Sequence, residues 1–309
     1  QLQDFWDRKG VNSSACVILS GSNVGLIKKI FAEEGAPLFK RMQFDLFLKP
    51  FEIRECRRIL QDFGVEEFEE QIRIYSIIGG IPFYYSLLAG RKISSWKDVV
   101  REIIFNNLSP LKNEVRDTMV ESFGRDHASY YAVINAIALG KTTKKEIADA
   151  SGIMQSSVSS YLYDLQELIN VIAYEVPATE KKSWKSRRGR FVVTDQFFRF
   201  WFNYVFKNSS YFEKQEFGYL LEKTEKDFDS FVGKTFEEIA REALNSLNKE
   251  KKLPAKFNKT GSWWNRTGEE IDLAMISDEE NAIMLAECKW DKNTDAEKIL
   301  TELQEKEKL

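Results

Sequence analysis

Near the end of the chain, three residues have types and spacing that suit chemistry. Asp272 lies inside the largely apolar run 268–276, and Glu287 and Lys289 stand two residues apart in the run 282–290. Side chains two apart on a strand share a face. A hairpin turning through residues 277–281 therefore brings Asp272 beside the Glu287–Lys289 pair. Paired carboxylates present the hard oxygen donors that Mg²⁺ prefers. The same groups also read as an ion-paired hairpin with no chemistry of its own. Upstream, the amphipathic segment 233–242 is predicted as a helix that presents Glu237 or Glu238.

A second set of charges lies further upstream. Lys181, Lys182, Lys185, Arg187, Arg188 and Arg190 crowd ten residues that contain no acid. Such a strip suits salt-sensitive, sequence-independent contact with phosphates. It also reads as a solvated hairpin tip, or as a lid against a neighbouring domain. The strip follows a helix-turn-helix pattern over residues 144–172, with Ala148 at a close helix crossing, Gly152 in the turn, and Val158 and Leu162 returning to the core. Helix-turn-helix followed by a hairpin is the order of a winged helix. Its second helix offers Gln155, Ser156, Ser159, Ser160 and Tyr163 outward but no Lys or Arg, so base readout in a major groove has little to work with. The segment 194–206 carries seven aromatics and is predicted to pack in a core. His127, the single histidine, has no partner pattern and reads as structural.

These elements must sit on a larger frame. The chain has 309 residues, enough for two or three domains, with 43% hydrophobic and 30% charged residues. Net charge is −3, which argues against a coat of nucleic acid along the whole chain. Cys16, Cys56 and Cys288 are scattered, so neither a zinc site nor a disulfide framework is expected, and a reducing cytoplasm suits the chain. No apolar run reaches the length of a membrane span, and no membrane partner is expected. The chain opens at Gln1 within an amphipathic segment, which reads as a piece of a longer protein. Residues 1–50 are predicted as helix, strand, helix, strand; 51–120 as helices broken at Gly79, Gly80 and Pro82; 121–206 as the winged helix; 207–226 as a polar connector; and 227–309 as the domain carrying Asp272.

Five motifs bring a resemblance. "LQDFWD", "VILSGSNVG", "APLFKR", "LKPF" and "IIGGIPFYY" follow in an order that resembles the archaeal-type ATPases, a branch of the AAA/STAND P-loop ATPases. That resemblance implies a partial P-loop α/β sheet, a helical lid and, by way of the ATPase domain, a homo-oligomer. It also implies nucleotide-sensing roles for Ser20, Ser22 and Asn23 at a strand tip, and for Arg41. No GxxxxGK[ST] motif occurs, so ATP is expected only in a full-length protein and not on this chain. The D-x(14)-E-x-K pattern with a helix glutamate in "GKTFE" resembles the PD-(D/E)XK nucleases, with Ile271 where the motif's name has proline. This second resemblance implies Mg²⁺ held by Glu237, Asp272 and Glu287, with Lys289 positioning water or stabilising the transition state, and a final strand that this sequence lacks. Trp263 and Trp264 are expected to pack under the hairpin. The expected activity is an ATP-driven protein acting on DNA with a metal-dependent nuclease-like domain. The competing expectation is a nucleotide-dependent switch whose last domain binds without cutting.

Overall fold

The computed structural model describes residues 2–307 apart from 11, 12, 15, 22–29, 32–34, 37, 40, 42, 45, 182–185 and 292. It is a mixed α/β chain, mostly helical, with two small antiparallel sheets. Among the described residues, no helix is long and apolar enough to cross a membrane.

The expected strands of the first block do not form. Residues 16–21 and 46–50 have no ladder, and their apolar side chains face outward: Ile18 is 87% exposed and Leu46 82%. An extended segment is held by its neighbours' hydrogen bonds, and among the described residues no other strand lies beside either one. Ser22 and Asn23 fall outside the described residues. Ser20 is exposed. Arg41 grips Asp7 through Nε and Nη2, each at 2.7 Å.

From residue 53 the chain packs around one continuous core that runs from Ile53 to Ile239. Helices α1 (Ile53–Asp62), α2 (Phe68–Ile78) and α3 (Pro82–Ser86) open it. The Gly-Gly-Ile-Pro break works as the sequence predicts. Gly79 ends α2 at φ 59°, Pro82 starts α3, and Gly80 lies so close to the Phe51 backbone that a Cβ would sit 1.9 Å from the Phe51 carbonyl oxygen. Helices α4 (Trp96–Ile103), α5 (Glu114–Phe123) and α6 (His127–Ala138) follow. His127 starts α6 with its ring Nδ1 2.9 Å from the Gly124 carbonyl, a local structural contact.

Residues 144–193 have the element order expected from the sequence, two helices and then a hairpin. Helix α7 (Lys144–Ser151) carries a capping box between Thr143 and Glu146 and ends at Gly152 in the left-handed region, φ 72°. Helix α8 (Gln155–Glu167) buries Val158, Leu162 and Leu165. Strands β1 (Ile172–Glu175) and β2 (Arg190–Val193) pair antiparallel as the wing. Helix α9 (Gln196–Phe200) is capped by Asp195 and runs into a π-helical turn at Trp201–Val205. Six of its seven aromatics are buried, with Phe206 at the edge, so this helix is core.

The predicted polar connector is helical and packed. Helices α10 (Ser209–Glu213) and α11 (Phe217–Glu225) bury Phe212, Leu220 and Leu221 in the shared core, because the connector's few apolar residues fall on one side of each helix. Helix α12 (Phe228–Lys249) then crosses the molecule, its Phe228 stacked on Trp96 with ring centroids 4.1 Å apart. The three-stranded sheet follows: β3 (Lys259–Trp264), β4 (Glu270–Ser277) and β5 (Ala282–Ala286), in the order β3-β4-β5, with helix α13 (Ala296–Lys306) after it.

Candidate functional site

The β4–β5 hairpin sets the site. Its register pairs Leu273 with Ala286, so one step further Asp272 stands across from Glu287 on the same face. The predicted strand stops one residue short of Glu287. There the ladder ends because the N–H of Cys288 donates to Asp272 Oδ2 at 2.8 Å rather than to a strand carbonyl. Lys289 Nζ bridges the two acids, 3.3 Å from Asp272 Oδ2 and 3.1 Å from Glu287 Oε2. Asp272, Glu287 and Lys289 thus meet as the sequence predicts. The Glu287 side chain is only 6% exposed, while that of Lys289 is 45% exposed at the rim.

The electrostatics follow from this packing. Burial works against the Asp272 carboxylate, yet the Cys288 N–H, the adjacent Glu287 and Lys289 together hold its carboxyl below the usual carboxylate range. Burial also opposes the charge on Lys289, but Glu287 and Asp272 outweigh it and raise the ammonium above its ordinary value. Burial with Asp272 and Glu237 nearby pushes the Cys288 thiol up to about 11, so it is no thiolate nucleophile at neutral pH.

Glu237 lies on α12 and lines the same cavity as Asp272. Its carboxylate accepts from Lys234 Nζ at 2.6 Å. Burial, offset in part by Lys234, raises its pKa. Among the described residues, no three His, Cys, Asp or Glu side chains gather closely enough to hold a metal ion. The expected three-acid shell is therefore not assembled. Glu237 instead pairs with Lys234, three residues before it on the same helix face. Asp272 and Glu287 alone still offer adjacent carboxylate oxygens, a donor set that fits one hard divalent cation completed by water.

The sequence reading missed two features. First, Lys306 of α13 reaches Glu287 Oε1 at 2.6 Å. Second, a cavity of about 440 Å³ lies between β2, α9 and α12 and is lined by Asp272 and Glu237. Its α12 wall is a polar stripe, Lys234, Glu237, Glu238, Arg241 and Glu242, at helical spacing that the sequence does display. Arg199 on α9 answers it: buried at 9% exposure, it donates from Nη1 to Glu238 Oε1 at 3.2 Å and from Nη2 to the Thr235 hydroxyl. Glu242 has a buried oxygen with no hydrogen-bond partner. Burial, then the neighbouring Glu52 and Glu238 charges, push its carboxyl up to about 7. Its ionised form is thus disfavoured in the fold, and the chain loses stability as pH rises from about 4.5 towards 7. Glu242→Gln removes that loss. The variant should melt roughly 2–4 °C above wild type at pH 8, with the gap shrinking at pH 5; equal gaps at both pH values would count against this assignment.

The basic strip is divided. Lys181 and Arg187 are exposed, and Lys182 and Lys185 lie outside the described residues. Arg188 pairs with Glu180 at 3.3 Å. Arg190 turns away from the tip: it meets Glu270 at 3.2 Å and lies 4.4 Å over the Trp264 ring. The wing itself docks on β3, with the Ala178 N–H donating to the Ser262 carbonyl at 2.9 Å and Trp264 Nε1 donating to the Arg188 carbonyl at 2.8 Å. Arg190 thus serves a contact within the fold, whereas Arg188 stays exposed beside its partner Glu180. On α8, Gln155, Ser156, Ser160 and Tyr163 are exposed and Ser159 half-buried.

Residues 201–299 match the family DUF234, "Archaea bacterial proteins of unknown function". That segment holds Glu237, Asp272, Glu287 and Lys289 but neither Arg199 nor Lys306. Over 300 residues the chain is 34% identical to an uncharacterized protein of Methanocaldococcus jannaschii, a match covering 96% of this chain and 65% of that relative's length. No solved structure matches the chain significantly.

Proposed function

We propose that this chain is the DNA-handling part of a larger protein and that its last domain is a metal-dependent phosphodiesterase of nuclease type. The observation that carries the reading is the convergence of Asp272, Glu287 and Lys289 on one sheet face, with the ammonium within 3.3 Å of both carboxylates. Asp272 and Glu287 would hold a divalent ion, which would supply hydroxide near neutral pH and offset charge on a phosphate. Asp272 stays ionised and ready to ligate. Lys289, at the solvent rim, is placed to hold a phosphate oxygen or the attacking water. Exposed Lys181 and Arg187 supply sequence-independent phosphate contact. In the complete protein, an ATPase core of the archaeal type would supply ATP-driven movement and a homo-oligomer.

The test is supercoiled plasmid incubated with this chain and Mn²⁺ or Mg²⁺. Nicking is expected with wild type, and Asp272→Asn should lower it by at least about 100-fold. Plasmid left intact over several metal concentrations would overturn the hydrolytic reading. The second reading, a nucleotide-dependent switch whose last domain binds without cutting, would then take its place; the lysines already neutralising both acids favour it.

A further inference from the structure

Helix α13 has no buried residue of its own, and Leu300 on it is 57% exposed. Apolar packing therefore contributes little to holding it against the sheet. Its last residue links it to the sheet through polar contacts. Lys306 Nζ donates to Glu287 Oε1 at 2.6 Å and to the main-chain carbonyl of Glu270 at 2.7 Å. The partner residues are 19 and 36 positions away, so the contact belongs to the tertiary fold and not to local helix geometry. Lys306 is itself only 26% exposed.

The acceptors are informative. One carboxylate oxygen and one main-chain carbonyl are the oxygen types that a hard divalent cation takes. Lys289 already occupies the other oxygen of Glu287. Both oxygens of a nearly buried carboxylate are thus neutralised by ammonium groups from two different elements. Leaving such a carboxylate unpaired is costly, so a positive charge belongs there whether or not a metal is bound. An ammonium provides it as a compact point charge. A divalent ion drawing on Glu287 Oε1 has to displace it.

We infer that Lys306 is a built-in competitor for the cation seat, so that metal binding and docking of α13 exclude one another. This rests on reading Asp272 and Glu287 as that seat. Displaced, Lys306 leaves α13 with little to hold it, and the helix becomes the element that reports the metal. The coupling is reciprocal: whatever stabilises the docked helix weakens the metal, and the metal loosens the helix by the same factor.

The experiment measures Mn²⁺ binding directly, by the electron paramagnetic resonance signal of free Mn²⁺, on the full chain as wild type, Lys306→Met and Glu287→Gln. Methionine keeps most of the apolar stem while removing the charge. Lys306→Met is expected to bind about tenfold more tightly than wild type, the effect of losing one charge-assisted contact to the seat. Glu287→Gln is expected to abolish binding. Equal or weaker affinity in Lys306→Met, with Glu287→Gln still impaired, overturns the competitor and leaves the cation seat standing. No saturable binding in any of the three overturns both. A second measurement needs no variant: amide exchange in residues 296–306 of wild type should rise on adding Mn²⁺, and unchanged exchange at saturating Mn²⁺ would also overturn the proposal.

Discussion

In the plasmid assay, Lys289→Ala is expected to lower strand cleavage by roughly 10²–10³-fold while Mn²⁺ binding survives. The ammonium touches both Asp272 and Glu287, yet it is the most exposed of the three groups, with 45% of its side chain open to solvent. A lysine whose only task was to neutralise the acids would be expected deeper. At the rim it can reach a phosphate that arrives from solvent, and a positive charge matters most where negative charge develops in the transition state. Removing it frees oxygens of both carboxylates, so the cation seat should remain intact. Loss of cleavage with retained or tightened Mn²⁺ binding would assign Lys289 to the chemical step. Loss of both would reduce it to a scaffold for the acids.

The largest effect on stability is expected at Arg199. Arg199→Met should cost about 3–5 kcal/mol, measured by urea unfolding, because it leaves a partner acid without its cation. Arg199 is 9% exposed and holds Glu238 and Thr235 across the seam between α9 and α12. Without it, Glu238 keeps Gln196 as its side-chain donor at 3.1 Å. The double variant Arg199→Met, Glu238→Gln should recover much of the loss, since it removes the stranded charge as well. A single variant within about 1 kcal/mol of wild type would mean that the seam is held by its apolar contacts alone.

Parts of this molecule were legible because local rules decide them. Gly152 needed a left-handed turn, Val158 and Leu162 needed a core, and the period of two in the β4–β5 hairpin put Asp272 across from Glu287. Other parts depend on partners far away in sequence. The apolar segments of the first block look like buried strands, but strand character is completed by neighbours, and here their side chains remain exposed. Arg190 belongs by sequence to a basic strip and in space to Glu270 and Trp264. Lys306 gave no signal at all, being one lysine among several at the end of a charged helix. Glu237 is the intermediate case: the sequence placed it on a helix, but its pairing with Lys234, three residues before it on the same face, emerges only in the structure.

The docking of the wing on β3 carries a consequence for any nucleic acid that touches both. The bonds from Ala178 to Ser262 and from Trp264 to Arg188 tie the two parts together. If the last domain cuts as proposed, a backbone held at Lys181 and Arg187 would then reach the acid pair across this joint. Breaks made there would fall at a constant offset from the grip, giving uniform fragment ends whatever the sequence.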